Sequence, residues 1–424
     1  MLIVAAILFL AMYVLMTAIP SKRPFFVYGV VILYLILGIL PLASVPGAIN
    51  WNVLMMIAGT GIVVEYFIES QMPNRIADVL LSKAKNVMWV TIFMSLFAGV
   101  VSAFIDNVAT VLMVAPVGLA ICRKLKINPI PMILSIAVSS NLQGAATLVG
   151  DTTSILLGAY AGMTFNDFFW MLGRPGIFFA VELGALATVP IMMWIFRDQK
   201  DPVHSDEMTE VHDYFPTVML VGVVVVLILA SFIENKPDIT NGLICVAFAI
   251  ISMVRGRIVK GNWDLAKQAV QNMDYETLIL LAGLFLVIQG ITEAGVIDLA
   301  AKFIADAGGN NIFLLYTIIV WGSVLISAFV DNIPYVATML PVISGITSVL
   351  GISPYLLYFG LLTGATLGGN MTPIGASANI AATGILKKEG YVVSFKDFAR
   401  IGIPFTLAAV TAGYLYIWFV FRGA

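Results

Sequence analysis

Charged residues are scarce in this chain of 424 residues, at 11% of the sequence, whereas soluble domains have about 25%. Cys122 and Cys245 are the only cysteines, which excludes a disulfide framework and a CxxC metal site. The two histidines, His204 and His212, lie in the polar segment 198–213, where solvated linker residues are expected. The rest of the chain leaves no room for a soluble domain of ordinary size.

Apolar residues make up 60% of the chain, and the mean hydropathy is +1.01. Runs of transmembrane length predict ten membrane spans. The first run lacks a basic flank and an A-x-A-like cleavage site, so we expect a retained helix instead of a signal peptide. The spans are predicted at 2–19, 25–42, 51–69, 130–162, 175–196, 215–232, 238–254, 275–293, 354–385 and 399–421.

Two further apolar regions, 88–121 and 311–346, each carry an Asp-Asn pair near the middle and a proline ten residues beyond the aspartate. Each is long enough for two short helical arms that meet at a tip, so we interpret both as re-entrant hairpins. The predicted fold class is therefore an all-α integral membrane protein with about ten spans and two re-entrant hairpins.

A hexapeptide repeats within this apolar sequence. Ser-Ala-Phe-Ile-Asp-Asn at 102–107 returns as Ser-Ala-Phe-Val-Asp-Asn at 327–332, 225 residues later. The same offset relates other pairs over about 55 residues, which indicates a duplication. We therefore predict a first repeat at 1–196, a linker at 197–214 and a second repeat at 215–424. The further pairs are Pro116 and Pro341, Gly144 and Gly369, Thr147 and Thr372, Gly150 and Gly375, and Ile155 and Ile380.

The distribution of Lys and Arg predicts the orientation. Of the 22 basic residues, 18 fall in loops on the face reached after the first span, and four fall on the other face: Arg174, Lys236, Lys302 and Arg422. We expect the protein in the plasma membrane. The positive-inside rule then assigns the first face, with the linker 197–214, to the cytoplasmic side and both termini to the outside. Five spans separate the hairpins, so the repeats should be inverted, as in many secondary transporters.

Polar, glycine-rich stretches interrupt the spans 130–162 and 354–385, at residues 139–154 and 364–379. A lipid-facing helix would not tolerate them, whereas matched interruptions in two halves are typical of a transporter site. Tight helix packing through small residues is the alternative interpretation. The candidate substrate- and ion-binding residues are Asp106, Asn107, Thr110, Asn141, Gly144, Thr147, Gly150, Asp151, Thr152, Asp331, Asn332, Asn370, Thr372, Gly375, Ser377 and Asn379.

Asp106 and Asp331 place one carboxylate in each hairpin, and a charge at membrane depth is costly unless it has a function. Either carboxylate could carry a proton or hold a sodium ion, with Asn107 and Asn332 as further sodium ligands. Both pairs could instead cap the second arm of a hairpin, since Asp and Asn are good N-caps. Asp151 has no acidic counterpart in the second repeat and is a second candidate group for the coupling ion.

Four motifs in order resemble the ion transporter superfamily, in its branch of arsenite permeases, NhaD-type sodium/proton antiporters and the melanosomal P protein. They are FIDNVATVLMVAP, SNLQGAATLVGD, SAFVDNIPYVATMLP and GATLGGNMTPIGASANI. The resemblance covers residues 51–400 and implies an inverted-repeat fold that is usually a homodimer. The wider superfamily's citrate carriers typically have Ser-Asn-Thr at the hairpin tips, whereas this chain has Asp-Asn, which repels a tricarboxylate unless a cation intervenes.

The expected function is ion-coupled secondary transport by alternating access. The substrate would be a small inorganic species, either arsenite or antimonite moved outward or sodium exchanged for protons. Import of a di- or tricarboxylate with sodium or protons is the second interpretation. An intramembrane aspartyl protease is a distant third, because the usual flanking motifs are missing. We expect no cofactor beyond H⁺ or Na⁺ as coupling ion, an inorganic or anionic solute and the lipid bilayer as partners, and no nucleic acid.

Overall fold

The computed structural model describes residues 1–203, 208–308 and 311–423. Residues 204–207 of the predicted linker, among them His204, lie outside the described residues, as do residues 309–310 and 424, which belong to the predicted second repeat. The described part of the chain is mostly helical, with one hairpin of two-residue strands in which β1 (Trp170–Met171) pairs antiparallel with β2 (Arg174–Pro175).

The first half is a succession of ten helices. They are α1 (Leu2–Ala18), α2 (Arg23–Ile36), the short α3 (Val45–Ala48), α4 (Trp51–Glu69), α5 (Met72–Lys83), α6 (Val87–Ser102), α7 (Asn107–Leu125), α8 (Ile130–Gly144), α9 (Thr152–Tyr160) and α10 (Ile177–Ile195).

The second half has ten helices in a corresponding order. Its helices are α11 (Phe215–Ala230), α12 (Thr240–Lys260), α13 (Asp264–Gln271), α14 (Tyr275–Glu293), α15 (Val296–Gly308), α16 (Ile312–Ser327), α17 (Asn332–Leu350), α18 (Tyr355–Gly368), α19 (Ser377–Lys388) and α20 (Phe395–Phe421).

Seven helices of the described residues are long and apolar enough to cross a membrane: α4, α7, α10, α12, α14, α17 and α20. Two of them, α7 and α17, are the second arms of the predicted hairpins and have 19 residues each. At 1.5 Å per residue each is about 28 Å long, close to the thickness of the hydrocarbon core. The second arms are therefore longer than the sequence analysis predicts, because the apolar windows ended before the helices did.

Besides the four-residue α3, three helices fall in segments for which the sequence analysis predicts no span, namely α5, α13 and α15. Each has buried residues spaced by three or four positions, such as Ala77 and Leu81 of α5. A search for continuous apolar runs of membrane-spanning length misses such helices, because they have 8 to 13 residues and charged residues interrupt their apolar ones.

The same kinds of cap recur in both halves. Asn86 accepts from the backbone N–H of Trp89 at the start of α6, and Asn311 accepts from Leu314 at the start of α16. Helices α7 and α17 begin after Asp106 and Asp331. Short polar side chains at these positions satisfy the free N–H groups of a first turn. The capped starts therefore set where each tip turns.

The helices cross-pack between the halves. Helix α2 packs on α14, and α12 packs on α4, while α6 packs on α8 and α16 on α18 within their own halves. Helix α8 also contacts α18 and the 3₁₀ turn Gly369–Met371 that follows α18. This packing brings the two glycine-rich stretches into the centre of the molecule.

Candidate functional site

We define the first tip as residues 103–107, which lead from α6 into the first residue of α7, and the second tip as residues 328–332, which lead from α16 into the first residue of α17. At the first tip, one oxygen of Asp106 accepts from the N–H groups of Val108 and Ala109, at 2.9 and 3.2 Å. At the second tip, Asp331 accepts from the N–H of Ile333 at 3.1 Å. Both aspartates cap helices, and capping leaves the other carboxylate oxygen for a ligand.

Each broken span is a pair of helices that faces one tip. Helix α8 ends at Gly144 and α9 begins at Thr152, while α18 ends at Gly368 and α19 begins at Ser377. A threonine in each break holds the tip backbone, because Thr147 donates to the carbonyl of Ala103 and Thr372 donates to that of Ala328. Tip and break are therefore one unit in each half.

Asparagine side chains join the two broken spans. Asn141 donates to the carbonyl of Thr366 at 2.7 Å and to the Oδ1 of Asn370 at 3.0 Å. Its own Oδ1 accepts from the amide of Asn107 at 2.9 Å. Asn370 in turn donates to the carbonyl of Val138 at 2.9 Å. In this conformation these predicted ligands bind each other and join the halves.

Replacing Asn141 by alanine is expected to lower the free energy of unfolding by about 3 kcal/mol, because three buried partners lose a hydrogen bond at once. The measurement is thermal unfolding of the purified protein in detergent. Asn262, which is exposed and accepts only from the N–H of Asp264, is the control, and its alanine variant should lose less than about 1 kcal/mol. Equal losses in the two variants would contradict the central role of Asn141.

A cavity of about 590 Å³ opens in front of the first tip. Asp106, Asp151 and Thr152 line its inner end, and Glu65, Asn272, Asp274 and Thr277 lie among its other lining residues. We call it the acidic cavity, because its lining includes four carboxylates and, among the described residues, no Lys, Arg or His. Glu65 is held by the side-chain amides of Gln268 and Asn272, at 3.2 and 2.7 Å.

Asp151 is the most buried of these carboxylates, at 1% exposure. It accepts from the hydroxyl of Thr153 at 2.9 Å, and the hydroxyl of Thr153 also lies 3.0 Å from that of Thr366 in α18. Asp151 lines the acidic cavity together with Asp106. The extra carboxylate of the first half therefore shares the cavity of the first tip.

The second tip has a different environment. Asp331 is 4% exposed, and its Oδ2 accepts from the guanidinium of Arg23 at 3.0 Å and from the hydroxyl of Ser377 at 2.8 Å. Nearby, the hydroxyl of Tyr13 lies 2.6 Å from that of Thr338. The cavity at this tip holds only about 50 Å³. The charge of Asp331 is thus neutralised by a side chain of α2.

Several predicted residues lie away from both cavities. Thr110 is fully buried in α7, Gly144 packs against Gly150 and Asp151, and Gly150 packs against the backbone of Ala103 at the first tip. Gly375 packs against the second tip in the same way. Asn332 and Asn379 are also buried at this end, at 2% and 0% exposure. These positions shape the site but do not line the acidic cavity.

The sequence analysis did not identify Arg23, Glu65, Asp274 or Thr366 as residues of the site. Arg23 appeared only as one of the basic residues that set orientation. The one available signal was indirect, because a carboxylate at the depth of Asp331 needs a counter-charge. Nothing local to the sequence indicates which of the basic residues supplies it.

A resident metal cluster finds no support in the side chains. Among the residues that the structure describes, no group of three or more His, Cys, Asp or Glu side chains is arranged to hold a metal ion. Carboxylate, amide and backbone oxygens at the first tip are the ligand types suited to a small hard cation. Oxygen ligands of these types are able to bind a cation or a proton reversibly.

The comparisons with known proteins point to one class of protein, the transporters. A protein-family model described as Citrate transporter (CitMHS) matches residues 11–364. The chain is 31% identical over 378 residues to an uncharacterized transporter of Mycobacterium tuberculosis, and the matched region covers 87% of this chain and 86% of that protein. It is 25% identical over 453 residues to the human P protein, and that match covers 87% of this chain and 53% of the P protein.

Among solved structures, the YdaH transporter of Alcanivorax borkumensis matches with a TM-score of 0.62, covering 89% of this chain and 87% of that one. The sequence identity is 14%, so this likeness concerns the fold alone.

Proposed function

This chain belongs to the citrate transporter family, and from that premise we propose that it is an ion-coupled secondary transporter that exchanges sodium for protons by alternating access. Family membership makes it a multi-pass membrane transporter and not an enzyme, and the match to the P protein confirms the resemblance to that branch of the ion transporter superfamily. The coupling ion and the substrate are the proposed part.

The acidic cavity carries this proposal. Four carboxylates around about 590 Å³, with no basic side chain among the described lining residues, create a negative potential that concentrates cations and repels anions. Asp106 offers an oxygen that helix capping does not use, and Asp151 lies beside it in the break. A carboxylate that binds either a proton or sodium, but not both together, exchanges the two ions.

Alternating access follows in our proposal from two inverted repeats, 1–196 and 215–424, joined by the linker 197–214. The repeated order of helices, the capped tips and the cross-packing of α2 on α14 and of α12 on α4 support it. Regions 88–121 and 311–346 would then be re-entrant hairpins that open to opposite faces. We place the protein in the plasma membrane as a homodimer, with both termini outside.

Transport of a citrate-like carboxylate is the second candidate, and the family description favours it. Helices α9 and α19 begin at the breaks with Thr152 and Ser377, and helix N-termini attract anions. However, the acidic cavity offers an entering tricarboxylate no Lys or Arg among the described lining residues. A carboxylate would therefore need cations bound beforehand, which makes cation binding the primary event.

The test uses purified protein in proteoliposomes with an acidic interior and a fluorescent pH indicator inside. Adding sodium outside is expected to raise the internal pH, because bound protons leave as sodium enters. Choline chloride and protein-free liposomes are the controls. Parallel vesicles receive labelled citrate or arsenite under the same gradients. Accumulation of citrate without sodium-driven proton release would establish the carboxylate interpretation, and arsenite flux alone would also overturn sodium/proton exchange.

A further inference from the structure

The two tips contain the same parts, yet only one of them has room for a free cation. Asp106 and Asp331 occupy equivalent cap positions, and Thr152 and Ser377 begin the equivalent helices after the breaks. In front of Asp106 lies the acidic cavity of about 590 Å³. In front of Asp331 about 50 Å³ remains.

Arg23 fills the corresponding place at the second tip. Its Nη1 lies 3.0 Å from the Oδ2 of Asp331, with the side chains 13% and 3% exposed. Apolar side chains of Met16, Phe329 and Ile380 line the same small cavity. The remaining volume has space for only a few water molecules, which is too little for a hydrated cation beside the guanidinium.

The position of Arg23 is set by the backbone. The turn from α1 to α2 is the single 3₁₀ turn Pro20–Lys22, and Arg23 begins α2 with Pro24 behind it. Proline restricts the chain at both points, so the start of α2 is held in a narrow range of conformations. Tyr13 of α1 anchors the neighbouring helix by donating to the carbonyl of Pro334 at 2.6 Å. The backbone that carries Arg23 is therefore restricted in conformation, and it holds the guanidinium next to Asp331.

We propose that Arg23 is a tethered cation that occupies the second tip, so that each chain binds a single exchangeable cation, at Asp106 and Asp151 of the first tip. This inference rests on the proposed function and deepens it by assigning the number of exchangeable ions. The duplicated fold supplies two equivalent carboxylate tips, and the chain's own arginine takes one of them out of exchange.

The experiment measures equilibrium binding of radiolabelled sodium to the purified protein in detergent at a pH where carboxylates are ionised. The unaltered protein is expected to bind one sodium per chain. Arg23→Gln empties the second tip and should raise the number to two. Arg23→Lys keeps the charge and should stay at one, as should Arg197→Gln, which removes an arginine on the exposed surface.

A second variant guards against a folding defect. Arg23→Gln leaves Asp331 without a counter-charge, whereas Arg23→Gln with Asp331→Asn removes both charges and should bind one sodium. If Arg23→Gln remains at one sodium while eluting as a folded protein, or if it misfolds and the double variant still binds two, the tethered-cation assignment is overturned.

The outcomes also separate this inference from the proposed function. Two sodium ions bound by the unaltered protein would leave sodium exchange intact but refute the role of Arg23. No sodium bound by the unaltered protein would instead refute sodium exchange, and with it the inference.

Discussion

Asp106→Asn is expected to reduce sodium-driven proton exchange in proteoliposomes by at least about 100-fold, equivalent to about 2.7 kcal/mol. Asparagine keeps the shape of the side chain and remains a good N-cap, so the contacts with the N–H groups of Val108 and Ala109 can survive. What the variant loses is the negative charge at the inner end of the acidic cavity. Loss of flux with normal folding would therefore separate ion binding from capping.

Asp151→Asn should give a loss of similar size. Its side chain lies in the break at 1% exposure and accepts from Thr153, and an amide oxygen could still accept that bond. The missing property is again the exchangeable charge. Measuring flux over a range of pH in both variants would show whether any residual exchange still depends on protons.

The matched control for both variants is Asp238→Asn, which removes an exposed carboxylate from the loop before α12. It should exchange sodium for protons at the unaltered rate, within about twofold. If Asp106→Asn keeps full flux and the same sodium dependence as this control, then the first tip does not carry the coupling ion.

The second large effect is expected at a pair of glycines in the breaks. A Cβ on Gly150 would lie 2.6 to 2.7 Å from the carbonyl oxygens of Ser102, Ala103 and Gly144. A Cβ on Gly375 would lie 2.6 to 2.8 Å from those of Ser327, Ala328 and Gly369. All of these neighbours are backbone atoms, which cannot rotate away as a flexible side chain can.

We therefore expect Gly150→Ala and Gly375→Ala each to lower the free energy of unfolding by about 3 kcal/mol, at the upper end of the range for overpacking. Thermal unfolding followed by size-exclusion chromatography in detergent measures the loss. Gly322 lies inside α16, and a Cβ added there would meet no neighbouring atom within 4 Å, so Gly322→Ala should be neutral or stabilising by up to about 1 kcal/mol.

Similar stability of the three alanine variants would contradict close packing of the tips against the breaks. A loss at Gly150 alone would show that only the first half needs the close approach. Each of the two glycines thus tests one half of the molecule. Gly322→Ala is the control for both, because it makes the same substitution where the added Cβ has open space.

Patterns within short stretches of the chain were sufficient to predict the class of protein. Long apolar runs indicate a membrane protein because a bilayer core of about 30 Å needs helices of a set length. The Asp-Asn pairs mark the starts of α7 and α17 because a short carboxylate caps free N–H groups. The glycine-rich stretches mark the places where helices stop. These features depend on near neighbours, so they can be read locally.

The partners of the carboxylates were decided only by the tertiary structure. Arg23 and Asp331 are 308 residues apart in sequence, and Glu65 lies 203 residues from Gln268. Hydropathy also missed the short helices α5, α13 and α15. The duplicated sequence predicts two equivalent tips, whereas packing closes one with an arginine and leaves the other in an acidic cavity. Such a difference arises from which helices meet across the molecule, and no local pattern of residues records that.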